Sequence, residues 1–271
     1  MTTSNRHGDP DAVFDRDEHT CRRCGTTADE DPQGLALYPV GDVSETGTVH
    51  ESSLVTVCSP CFSSLRSTPD ADVVLDGDEL FDLVRETTER QGVTVSAVAA
   101  FASLATELPH DLEAAVSSDE SASPDSSDAV ADEYVQARRE VLLAIDSVDS
   151  RLDRFHALDD STLEDVVADA VVAFTGAGTK LQSELRGIVA LGEGVAASLE
   201  RCHGCFEALE DDVDSCPTCD LGRRDVSDWA GEDGVEFHRL FNAINDTLLA
   251  ASETTKTLTT KTTAVAEQLR G

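Results

Sequence analysis

The chain has 271 residues, of which only 4% are aromatic and Met1 is the sole methionine, so it cannot build one large aromatic core and suits small modules joined by helices. Its 54 acidic residues against 20 basic ones give a formal net charge of −34. At molar salt the screening length is only about 3 Å, so dense carboxylates are tolerated, which points to a salt-rich cytoplasm and says nothing by itself about nucleic acid.

Apolar periodicity through most of the sequence excludes an acidic disordered chain. No charged-then-apolar leader opens it, and the weakly polar run VTVSAVAAFASLA from Val93 is too short to span a bilayer, so a cytoplasmic protein with no membrane partner is expected. All eight cysteines fall into Cys-x-x-Cys pairs, which in a reducing compartment is metal-ligand spacing rather than a disulfide framework.

Residues 1 to about 17 are polar and read as loose. Residues 13–70 form the first cysteine module, with strand-like runs LALYPV from Leu35 and SLVTVC from Ser53, a turn-rich GDVSETGTVHE between them and a short helix after Pro60. Over 76–116 a helical hairpin is expected. DELFDLVRETTERQ stops at Gly92, and VSAVAAFASLATEL stops before Pro109. A DNA-reading helix-turn-helix has the same spacing, but the Ala-rich second helix carries no basic residue to meet phosphate.

SSDESASPDSSD, residues 117–128, lacks apolar periodicity and reads as a disordered linker. Residues 129–271 are an antiparallel helical region. In its first helix Tyr134, Val141, Val148 and Phe155 recur every seventh residue, with Ala137 and Ala144 at the second apolar position. That helix breaks at ALDDSTLED, where Ser161 and Glu164 offer a capping box for the next one. The second helix carries Leu163, Val167, Ala170, Phe174, Ala177, Leu181, Ile188, Leu191 and Val195 on one stripe, with Gly176 and Gly178 weakening it.

The last helix places Phe237, Phe241, Ile244, Leu248, Ala251, Thr255, Leu258, Thr262, Val265 and Leu269 at alternating steps of four and three, a coiled-coil seam. Between these two helices, at 201–222, sits the second cysteine module, which should form the tip of their hairpin.

Zinc takes four thiolates in a tetrahedron, and each Cys-x-x-Cys turn supplies two. Cys21, Cys24, Cys58 and Cys61 make one set, and Cys202, Cys205, Cys216 and Cys219 the other. Gly25, directly after Cys24, suits the left-handed conformation that ends such a knuckle. Four cysteines leave no open coordination position, so two structural zinc ions are expected. A redox role fits poorly because no thioredoxin-like strand and helix surround the pairs. His203 lies inside a knuckle, where it could replace a cysteine as ligand, but four thiolates already suffice and it is expected to be a bystander.

FDRDEHTCRRCGTT, LALYPVGDV and SLVTVCSPCF together resemble the HNH endonuclease family over residues 13–66. The resemblance implies a ββα treble clef anchored by the four cysteines. It also places Tyr38 and Pro39 where the family has its histidine pair, Ser53 at the family asparagine and Phe62 at the closing histidine. Metal-assisted phosphodiester hydrolysis requires an imidazole base and open metal coordination, which Pro and Phe cannot supply. His50 and His19, with Asp17 and Glu18 nearby, are the remaining candidates for a base.

The fold class expected is therefore mainly α, with a small ββα treble-clef zinc module, a helical hairpin and long coiled-coil-like helices bearing an inserted zinc ribbon. The function expected is a non-catalytic zinc-binding interaction protein with an unknown protein partner and no catalytic residues. DNA or RNA is a candidate partner through Arg22, Arg23, Arg223 and Arg224, which flank the knuckles and otherwise serve as salt-bridge partners. An HNH-type endonuclease with an altered site and a coiled-coil dimerisation scaffold are the alternatives.

Overall fold

A computed structural model describes residues 9–41, 43, 49–66, 73–117, 125–210, 213–232 and 234–270. The described chain is mainly helical, with two small antiparallel strand pairs. The expected loose start is a helix from Pro10 onward. α1 (Pro10–Arg16) is capped by the Asp9 side chain, has proline in its first turn and buries Val13.

β1 (Leu35–Pro39) and β2 (Leu54–Cys58) pair antiparallel, Leu35 opposite Cys58 and Pro39 opposite Leu54, and α2 (Ser59–Arg66) follows directly. β2 is buried at every position, between β1 and the flank of the helical body. Of the turn between the strands, residues 42 and 44–48 lie outside the described residues.

The expected helical hairpin at 76–116 is instead one helix, α3 (Gly77–Ser117). It runs through Gly92 because the buried stripe continues past it, from Leu80, Val84, Thr87 and Gln91 to Thr94, Val98, Phe101, Ala105 and Leu108. A helical glycine costs about 1 kcal/mol, less than the burial of two or three of those side chains returns. Pro109 lies just beyond Leu108, the last buried residue of the stripe. Fused in this way, α3 is long and apolar enough by length and composition to cross a membrane, unlike the short run read from the sequence. In this structure its apolar stripe packs in the common core.

α4 (Asp125–His156), α5 (Asp165–Ser198) and α6 (Phe237–Arg270) complete the body. Residues 125–128 of the expected linker already belong to α4, and residues 118–124 lie outside the described residues. The heptad positions Tyr134, Val141, Val148 and Phe155 are all buried. At the α4–α5 break the expected capping box does not form, because Asp159 takes both the amide and the hydroxyl of Ser161, at 3.0 and 2.6 Å. α5 starts on Glu164, which makes no side-chain cap.

The helix contacts fix the topology. Thr94 meets the Ala144 carbonyl, Phe155 meets Phe174 edge to face, Lys180 reaches Thr254, and Thr88 meets Thr262. Each neighbouring pair is thus antiparallel, giving an up-down-up-down four-helix bundle. The α6 seam is spent inside the chain against α5 and α3, with Ile244, Ala251, Leu258 and Val265 buried.

α3 and α5 run parallel across the diagonal and touch where glycines permit it. A Cβ at Gly192 would lie 2.7 Å from the Phe101 ring and 3.2 Å from Ala105, both on α3, and one at Gly178 would lie 3.8 Å from Gln91 of α3 and 2.9 Å from Leu152 of α4. Gly178, expected only to weaken its helix, therefore also admits its neighbours. Gly192→Ala is expected to destabilise the protein by about 1–3 kcal/mol in denaturant titrations, since forcing the packed Phe101 ring aside outweighs the gain of about 1 kcal/mol in helix propensity.

Candidate metal centres

Three of the four Cys-x-x-Cys turns share one backbone pattern. The amides of Cys21, Cys202 and Cys216 donate to the carbonyls of Thr26, Glu207 and Leu221, each at 2.8 Å. The cysteine carbonyls in turn accept from Gly25, Phe206 and Asp220 at 2.8, 2.9 and 2.9 Å. Those three residues have φ of +81°, +63° and +63°. The loop thereby bends its amides toward the first sulfur, and only at Gly25 is the left-handed backbone free of a Cβ penalty. The fourth pair is built differently, with Cys58 ending β2 and Cys61 in the first turn of α2.

Both tetrads expected from the sequence are brought together. In each, one ligand atom from every cysteine lies within 4.8 Å of the others. Cys24 and Cys58 sulfurs stand 3.6 Å apart, Cys202 and Cys219 3.4 Å, and Cys205 and Cys216 3.5 Å. A tetrahedron with zinc–sulfur bonds of about 2.3 Å has edges of about 3.8 Å, so the sulfurs already stand near the ligand positions of one ion. These spacings are far from a disulfide bond, and all eight cysteines are free.

Protons are shared unevenly among the thiols. Donation from Cys61 pulls Cys21 down to about 4 and pushes Cys61 up, and donation from Cys205 draws Cys202 to about 7. A dication at the centre would hold all four sulfurs as thiolates.

The first module is tied together around β2 and packs on the side of the bundle. The Arg22 amide donates to the Thr56 carbonyl at 2.9 Å, and buried Asp17 accepts from the Thr56 amide at 2.8 Å. Burial opposes ionisation of Asp17, but Arg16 and that amide outweigh it and hold the carboxyl below its usual range. Asp17 is therefore committed to the fold. Leu143 of α4 enters the module's own core with Val40, Val55 and Val57.

The second module sits at the bundle tip around a buried carboxylate that the sequence reading passed over. Arg138 of α4 donates through Nε to Glu193 Oε1 at 2.7 Å, and Arg224, just beyond the cysteines, donates to Oε2. Glu193 and Arg138 are each only 3% exposed. The Tyr134 hydroxyl donates to the His203 carbonyl at 2.9 Å, and the Tyr134 ring lies 4.7 Å from that of Phe206. Burial lowers His203 to about 4, so its imidazole is neutral and stands outside the four-thiol set. Glu193 had a signal in the sequence, as the sole charged residue between Arg186 and Glu200.

The four knuckle arginines are all engaged within the chain. Arg22 pairs with Glu140 at 2.6 Å, Arg23 donates to Ser147 at 3.1 Å, Arg223 to the Glu210 carbonyl at 2.8 Å, and Arg224 is the Glu193 partner. Arg223 and Arg224 thus hold the second module together and to the bundle, and only Arg22 and Arg23 also line an open cleft.

Where the sequence resemblance places catalytic histidines, Tyr38 and Phe62 meet edge to face, with ring centroids 6.4 Å apart and planes at 87°. Burial and Asp146 raise the Tyr38 phenol, which stays protonated, and Arg66 lies over the Phe62 ring. His50 caps a short 3-10 turn by accepting from the Ser52 amide at 3.2 Å, and His19 lies 3.0 Å from Asp15. Among the described residues, the two cysteine tetrads are the only groupings that could hold a metal ion through three or more His, Cys, Asp or Glu side chains. In comparisons with known proteins, the chain matches no family model, no curated protein and no solved structure.

Proposed function

We propose that this protein is a non-catalytic, zinc-stabilised interaction scaffold working on protein partners in a salt-rich cytoplasm. Its first module is an HNH-like treble clef that keeps the metal-bound architecture without the hydrolytic site, and its second is a zinc ribbon at the bundle tip. The observation that carries this reading is the edge-to-face packing of Tyr38 on Phe62. The β1–β2 hairpin leading into α2, with cysteines at Cys58 and Cys61, supports the treble-clef description. The close grouping of four free thiols in each module supports the zinc reading.

The test is a nicking assay on supercoiled plasmid at multimolar KCl with added magnesium or manganese. Wild-type protein is expected to leave the plasmid intact. Cleavage that disappears on His50→Ala or His19→Ala overturns the reading in favour of an HNH-type endonuclease with a rebuilt site.

A further inference from the structure

A cleft of about 380 Å³ between the first cysteine module and the α3–α4 face gathers five arginines on this acidic molecule. Arg16, Arg22, Arg23, Arg90 and Arg139 line it, a quarter of all the basic residues in a chain with net charge −34. They come from α1, the first knuckle, α3 and α4, so no single helix accounts for the grouping.

Only two carboxylates, Asp17 and Glu140, line the same cleft, and both are already committed. Arg16 holds Asp17 in a two-pronged pair at 2.9 and 3.0 Å, and Arg22 holds Glu140 at 2.6 Å. Arg23 and Arg90 rest on neutral acceptors, the Ser147 hydroxyl and the Arg23 carbonyl. Arg139 has neither an ion pair nor a hydrogen bond among the described residues. Burial and the neighbouring Arg16 cation lower it to about 10.

Three guanidinium groups therefore have no carboxylate in direct contact, Asp17 and Glu140 acting on Arg139 only through space, in a protein whose surface could have supplied carboxylates almost anywhere. Guanidinium groups converging from several elements suit planar, multidentate recognition of phosphoryl oxygens. One wall of the cleft is apolar, with Leu143 and Ala97 beside Val93, which is 60% exposed. The volume falls in the range of small-ligand pockets, which begins at about 300 Å³. A long polyanion would leave the cleft and meet the acidic surface, whereas a compact one would not.

We propose that this cleft binds a small phosphate monoester of mononucleotide size, its phosphate held by Arg139, Arg90 and Arg23 and its apolar body against Val93 and Leu143. The site uses different residues from the Tyr38–Phe62 packing and is independent of the scaffold reading.

The test is calorimetric titration of the full-length, zinc-loaded protein in multimolar KCl with AMP, inorganic phosphate, adenosine and a short single-stranded oligonucleotide. AMP is expected to bind more tightly than inorganic phosphate, and adenosine not detectably. Arg139→Gln and Arg90→Gln are each expected to weaken AMP binding by about tenfold or more, equivalent to about 1.4 kcal/mol. Arg239→Gln, which removes an α6 side chain paired with Glu236, should leave binding unchanged. The ligand-free Arg139→Gln protein should melt no lower than wild type, because it loses an unpaired cation among cations. Absent AMP binding, AMP binding insensitive to both cleft variants, or a marked drop in the melting temperature of Arg139→Gln overturns the proposal. So does oligonucleotide binding that depends on Arg139 while AMP fails to bind.

Discussion

Stripping the protein with a strong chelator is expected to release two zinc ions per chain and to unfold both cysteine modules while most of the helical signal persists. The asymmetry follows from where the apolar burial lies. The four long helices share one continuous core, whereas the first module's own core amounts to Val40, Val55 and Val57, three of its cysteines and Leu143 lent by α4. The second has little beyond Leu209 and its cysteines. Clusters of that size do not fold unaided, and a structural zinc ion contributes on the order of 10 kcal/mol to such a domain. Elemental analysis gives the stoichiometry, and far-ultraviolet circular dichroism follows the helices. Cys21→Ser and Cys202→Ser should each lose one ion and leave the other in place. Retention of both modules after complete metal removal would contradict the assignment.

The second large effect is expected at Glu193. Its carboxylate is flanked by Arg138 and Arg224, and two guanidinium nitrogens of the cluster, Arg138 Nη1 and Arg224 Nε, are buried without a partner. Glu193 outweighs the desolvation of Arg138 and keeps that guanidinium above its usual value. Removing the anion strands the buried Arg138 cation beside the partly exposed Arg224, so Glu193→Ala should cost about 3–5 kcal/mol in urea titrations. Buried pairs are poorly screened, and the loss should persist at multimolar salt. Glu193→Leu combined with Arg138→Met should recover part of it, because replacing an ion pair with apolar side chains removes the stranded charge. A loss in Glu193→Ala below about 1 kcal/mol would show that the carboxylate contributes no more than an exposed pair.

The cysteine tetrads were legible in the sequence because ligand chemistry imposes a spacing that survives any fold around it. The α4 heptads and the α6 seam were legible for a similar reason, each being a long repeat buried on one side. α3 was misread at Gly92 because its buried stripe passes through Thr87, Gln91 and Thr94, polar residues that interrupt an apolar count. Thr87 donates to the Leu83 carbonyl, Gln91 to that of Gly178 and Thr94 to that of Ala144, while Gln91 Oε1 is buried without a partner. Of the arginine cleft only Arg22 and Arg23 could be singled out, since its members lie as far apart as Arg16 and Arg139 and meet only where the first cysteine module packs on α4.

The connection between α5 and α6, residues 199–236, carries the second cysteine module at 201–222 and joins two helices that pack against each other. Bundles of this kind close with connections of about 2–8 residues. Topologically, then, the cysteine module is an insertion in a four-helix bundle, which a short glycine-containing loop from α5 to α6 would close without it. What forbids a clean excision is electrostatic rather than geometric: the cut would remove Arg224 and open the Glu193–Arg138 pair to water, so the inserted segment has become part of the host's interior.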